Sequence, residues 1–156
     1  MSLILRAFIL LGLVVAAPPV PVLAQAPGPL ADSLRGFAHR MAAVLRARDA
    51  DGALGLYGDT LGFVHVDNGR IIRWPELSAS VRRYLSTTTT NPIFVVGEPG
   101  VTIGDEDNAV VYVTHDFGPP AGGPAHRGVW TGVLHRFPGG WRIIHSHSSD
   151  QVEPTR

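Results

Sequence analysis

The sequence predicts an α+β domain, with helices in its amino-terminal half and a mostly antiparallel sheet in the remainder. Three observations carry this. Apolar residues recur at three- and four-residue spacing over Leu34, Phe37, Ala38, Met41, Val44 and Leu45, the core stripe of an amphipathic helix. An Asn68-Gly69 pair separates two short apolar, β-prone runs, which is the composition of a tight hairpin. From Ala109 to Ser149, long β-prone runs alternate with Gly- and Pro-rich breaks, as in a meander.

The chain opens with a predicted export signal over residues 1–24. Arg6 supplies positive charge, Ala7 to Ala17 is an apolar run, and Val22-Leu23-Ala24 offers small residues for cleavage. Pro18, Pro19 and Pro21 cut the apolar run short; a spanning helix needs about 20 apolar residues. A periplasmic or secreted location is therefore expected, with no membrane attachment after cleavage. Cleavage would leave 132 of the 156 residues, a length suited to one core. Removing Arg6 leaves 12 basic against 13 acidic residues. Such a balance has none of the basic excess that nucleic-acid binding needs. There is no Cys, so stability must come from burial or from pairing with a second copy rather than from disulfides.

Within the predicted domain, residues 25–29 read as a leader. A first helix is expected from about Leu30 to Arg48, capped by Asp32 or Ser33. Asp51 can cap a short second helix through Tyr57. Phe63 to Val66 and Ile71 to Trp74 then form the hairpin around Asn68-Gly69. Pro75 suits the first turn of a third helix, whose apolar stripe is Leu77, Val81, Tyr84 and Leu85. Strands are expected at 93–96, 101–103, 109–117, 126–137 and 141–149, with residues 118–124 as a loop and 151–156 as a tail.

The last strand draws attention to His145 and His147. Two residues apart on a strand, they share a face. A two-residue loop at Pro138-Gly139 or Gly139-Gly140 puts Trp130, Gly132, Leu134, Trp141, Ile143, His145 and His147 on one side. The pair could exchange a proton near neutrality, serve as core histidines, or ligate a metal with a third donor such as His115, Asp116 or His135. No cofactor and no resident metal is predicted. Asp116, with Tyr112 and Thr114 on the same strand face, is a candidate base or orienting group. Asp105 to Asp107 lacks the spacing of a calcium loop. Both sheet faces are rich in apolar residues, which predicts a homodimer.

The order of helix, short helix, Asn-Gly hairpin, third helix and a meander ending Gly139-Gly140-Trp141 to Ser149 resembles the nuclear transport factor 2-like superfamily. Within it the chain most resembles the SnoaL-like domains, and is similar also to the association domain of calcium/calmodulin-dependent kinase. The resemblance covers residues 30–150. It implies a cone-shaped α+β fold, with three helices packed on a strongly bent sheet around a pocket, and dimers formed through the sheet. Members include isomerases, dehydratases, cyclases and domains that only bind or assemble, so the fold does not name a reaction. Three roles follow as expectations. The first is an exported domain that binds a small apolar organic ligand in a pocket lined by Trp74, Tyr112, Trp130, Tyr57, His145 and His147. The second is a lyase or isomerase acting through His145, His147 and Asp116. The third is an accessory dimerisation domain.

Overall fold

The computed structural model describes residues 28–58, 61–87, 94–117 and 126–151. The predicted export signal, residues 25–27 of the leader, loop 118–124 and the tail from 152 lie outside the described residues, and Pro29, expected in the leader, is helical instead. In chain order the elements are α1 (Pro29–Arg46), α2 (Ala50–Leu54), β1 (Val64–Asp67), β2 (Arg70–Arg73), α3 (Trp74–Thr87), β3 (Phe94–Val96), β4 (Gly100–Ile103), β5 (Asn108–Phe117), β6 (His126–Phe137) and β7 (Gly140–Asp150).

Helix α1 begins earlier than its sequence suggests. Gly28 is the cap residue, Pro29 takes the first turn, where a missing N–H costs nothing, and Asp32 sits inside that turn, bonded to Arg35 at 2.9 Å. The helix buries Ala31, Leu34, Phe37, Ala38, Met41 and Ala42. It ends with Arg48 at φ 58°. The Asp49 N–H donates to the Val44 carbonyl and the Arg48 N–H to the Leu45 carbonyl, the paired bonds of a left-handed helix terminus. Asp49, rather than Asp51, then caps α2 by accepting from the Gly52 N–H at 2.8 Å.

The sheet has seven strands in the order β2-β1-β7-β6-β5-β3, with β4 also paired to β5. Every pairing is antiparallel except β1 with β7, which is parallel. Asn68 at φ 47° and Gly69 at φ 84° make the β1–β2 turn, with Asp67 opposite Arg70; positive φ at both positions suits the right-handed twist of a two-residue hairpin. At the other hairpin the two loop residues are Pro138 and Gly139, since Phe137 pairs with Gly140.

One face of the sheet carries Val111, Val113, Leu134 and Ile143, all fully buried, with Trp130 and Trp141 beside them. Leu34, Phe37, Ala38 and Met41 of α1 and Leu77 of α3 complete the same core. At about 25 cal/mol per Å² of apolar surface removed from water, this shared interior is the main favourable contribution to folding.

The pairing of β6 with β7 changes register between Val133 and Leu134. Leu134 opposes Ile143, but Val133 opposes His145, so Ile144 is an extra residue on β7. A bulge of this kind exchanges the two faces for everything beyond it. Ile143 and Trp141 therefore point into the core, as the two-residue loop predicts, while past the bulge Ser146 is the fully buried residue and His147 is exposed. The expected inward facing of His145 and His147 is corrected accordingly.

Candidate functional site

Three elements meet over the inner face of β1. The Val64–Asp67 strand alternates, so His65 and Asp67 share a side. The register places His65 beside Ile72 on β2 and Ser146 on β7, and Asp67 beside Arg70 and Ser148. Helix α3 passes above them, with Glu76, Ser80 and Arg83 along one stripe and Leu77 and Val81 along the next.

Between α3 and the sheet lie two adjoining hollows. The outer one, about 410 Å³, is walled by His65, Asp67, Arg70, Ile72, Glu76, Leu77, Ser80 and Arg83. The inner one, about 160 Å³, is walled by Met41, Leu45, Tyr57, His65, Leu77, Val81, Trp130 and Ser148. His65 and Leu77 belong to both. The cavity is thus charged at one end and apolar at the other, with an imidazole at the junction.

Local sequence explains the walls. The Trp130 ring lies back along its own strand over Gly132, where a Cβ would come within 2.2 Å of the indole; only glycine leaves that space. Tyr57 is held edge-on to Phe63, with ring centres 5.0 Å apart, and tilted against Trp74 at 5.4 Å. Trp74 also meets Phe63 edge-on at 5.8 Å, so it braces the aromatic cluster from behind.

The electrostatics single out His65. Its Nδ1 and the Ser146 Oγ share a hydrogen bond of 2.9 Å. Partial burial pulls its pKa below the ordinary imidazole value, and the neighbouring Asp67 carboxylate opposes that only in part. The ring is consequently neutral near pH 7, in the form able to accept a proton. Burial pushes the Tyr57 phenol up to about 12, so it remains protonated.

The residues expected from sequence divide sharply. Tyr57 and Trp130 line the inner hollow; Trp74 stands behind it. Tyr112 is on the opposite face of the sheet and 42% exposed, because its neighbours Val111 and Val113 take the buried side of β5. Asp116 shares that outer side. Arg127 donates to it through Nε at 3.0 Å and Nη2 at 3.4 Å, and this guanidinium holds the Asp116 carboxyl below the usual range, making it a poorer base. His145 and His147 pair with Val64 and Val66 on the outer face. The structure brings neither histidine nor Asp116 to the cavity. Among the described residues no three His, Asp or Glu side chains are placed to hold a metal ion.

His65, Asp67, Arg83 and Ser146 were not singled out from the sequence. A signal for two of them existed: Val64-His65-Val66-Asp67 has the same two-residue spacing that drew attention to His145 and His147. Choosing its inward side from pattern alone would have failed, since Val64 and Val66 are the more apolar pair.

Comparison with known proteins agrees with this architecture. A SnoaL-like domain model matches residues 35–153. No curated protein matches the chain. Among solved structures, a candidate dehydratase of the nuclear transport factor 2-like family from Streptomyces avermitilis is similar, with 19% identity, a TM-score of 0.67, and 81% of this chain and 100% of that chain covered. A candidate calcium/calmodulin dependent protein kinase II association domain from Xanthomonas campestris has 20% identity and a TM-score of 0.63, with coverage of 83% and 95%. A ketosteroid isomerase-like protein from Erwinia carotovora has 17% identity and a TM-score of 0.59, with coverage of 76% and 93%. The family match over residues 35–153 shows that the protein belongs to the SnoaL-like family, and its fold is that of the nuclear transport factor 2-like structures.

Proposed function

We propose that this protein binds a small, partly apolar organic molecule in the cavity between α3 and the inner face of β1. One observation carries the proposal: His65, half-buried and anchored to Ser146, stands where an apolar hollow opens into a charged one. A concave, mainly apolar site with a few convergent polar groups is the usual anatomy of a ligand pocket. Titration with the neutral dye N-phenyl-naphthylamine tests it. Val81→Trp, which fills the inner hollow, should weaken dye binding by about tenfold or more, equivalent to about 1.4 kcal/mol, while circular dichroism remains that of the folded chain. Equal dye binding by both proteins refutes the proposal.

A lyase or isomerase reaction is the second reading, and a specific feature favours it. His65 and Asp67 stand on one strand face beside the hollow, so a neutral imidazole and a carboxylate are available to a single ligand. That is the composition of a general acid/base pair, here in residues other than His145, His147 and Asp116. The dehydratase and isomerase-like names among the similar structures are compatible with such chemistry.

The proposal extends to address and assembly. Residues 1–24 direct export to the periplasm or beyond, as their charge and apolar run suggest; amino-terminal sequencing of the exported protein should begin near Gln25. A second copy covers the outer face of the sheet, where Tyr112, Val129 and Ile71 are exposed in one band.

A further inference from the structure

The geometry points to a monocarboxylate as the ligand: an alkyl or aryl chain in the inner hollow and its carboxylate at Arg83. This inference rests on the ligand-binding reading of the cavity and specifies the chemistry of that ligand.

The argument starts from the charges around the outer hollow. Four ionised side chains line it: Asp67, Arg70, Glu76 and Arg83. Arg70 and Glu76 form an ion pair between β2 and α3. Asp67 accepts from the Asn68 side-chain amide at 3.2 Å and sits beside His65, whose charged form it favours. Arg83 differs from these. Among the described residues no carboxylate lies within ion-pair distance of it, whereas the adjacent Arg82 reaches Asp51 at 2.7 Å. Among the described residues, the cavity therefore presents one guanidinium without a carboxylate partner.

Helix α3 explains how one ligand would meet both ends. Leu77 and Val81 form the stripe toward the inner hollow, and Ser80 and Arg83 the stripe toward the outer one. A molecule lying along the helix passes from hydrocarbon walls to a guanidinium within about two turns. Arginine's planar fork accepts a carboxylate through two parallel hydrogen bonds. Phosphate would satisfy the same fork, but Asp67 and Glu76 share this hollow and would repel a second negative charge. A singly charged head group meets the Arg83 guanidinium, unpaired among the described residues, without that second repulsion.

Displacement of N-phenyl-naphthylamine by octanoate, octanol and octylammonium tests the inference, in the natural protein and in Arg83→Gln. Octanoate should displace the dye about tenfold more effectively from the natural protein than from Arg83→Gln, and octanol should displace it equally from both. Added salt should weaken octanoate and leave octanol unchanged. Arg83 is exposed, so the variant should fold normally, which thermal unfolding verifies. If octanoate has the same potency against both proteins, or if octylammonium outperforms it, the carboxylate assignment is wrong while the cavity stands. If the dye does not bind at all, the cavity reading fails and takes this inference with it.

Discussion

His65 links the chemistry of the site to the stability of the fold. Its pKa is lowered in the folded chain and ordinary, near about 6.5, in the unfolded one. Between those values the unfolded chain binds more protons, so stability rises with pH through that window. It is complete above the unfolded value and is lost as the pH falls toward the folded one. Urea unfolding at about pH 7.5 and about pH 5.5 should show a loss of stability on acidification, and His65→Gln, which keeps a polar partner for Ser146, should show a smaller loss. An identical loss in both proteins would place the sensitivity elsewhere. Arg48 makes a second residue-scale case. It holds φ 58° at the end of α1, a position that glycine occupies without steric cost. Arg48→Gly should therefore be neutral to stabilising by up to about 1 kcal/mol, despite the greater freedom of glycine in the unfolded chain. A clear destabilisation in chemical denaturation would show that the arginine side chain contributes more than its backbone costs.

At the scale of elements, what could be read from the sequence depended on whether its signal was local. Helix α1, the Asn68-Gly69 turn and the β6–β7 loop were legible because each is specified by spacing or turn chemistry within a few residues. The facing of His145 and His147 was not. It follows from one extra residue, Ile144, on β7. The bulge falls where β7 changes neighbours: Ile143 is bracketed by Leu56 and Gly58, and β1 takes over at His145. Nothing in the local sequence marks that hand-over. A related dependence exists in β6, where Trp130 can roof the inner hollow only because residue 132 has no side chain. Gly132→Ala would set a methyl group against the ring. It should destabilise the fold by about 1–3 kcal/mol, the usual cost of overpacking, and should weaken dye binding by moving the indole. Unaltered thermal unfolding and dye affinity would mean that the ring has somewhere else to go.

For the whole molecule, the distribution of apolar residues over the sheet is the feature that most needs an explanation. On β1 and β2 the inner side carries His65, Asp67, Arg70 and the buried Ile72, while the outer side carries Val64, Val66, Ile71 and the exposed Arg73. The inner residues line a cavity and the outer ones face away from every helix. Register extends that outer band across the sheet: Tyr112 opposes Thr131, Thr131 opposes His147, His147 lies beside Val66, and Val66 opposes Ile71. Ile71 is 63% exposed and Val129 40%. Tyr112, Val129 and Ile71, exposed on one sheet face together with Thr131, Val66 and His147 in register, are gathered rather than scattered, the pattern of a contact surface. A second copy would cover it by placing the same band against itself, as two-fold symmetry requires. Sedimentation at micromolar concentration should give the mass of two chains. Thr131→Arg, at the middle of the band, appears twice in such an interface and buries two unpaired charges, so it should weaken association by at least about tenfold. Because Thr131 points away from the cavity, dye binding by that variant should be retained. A natural protein that sediments as a single chain would remove the dimer and leave the outer band open to a different partner, with the His65 cavity unaffected.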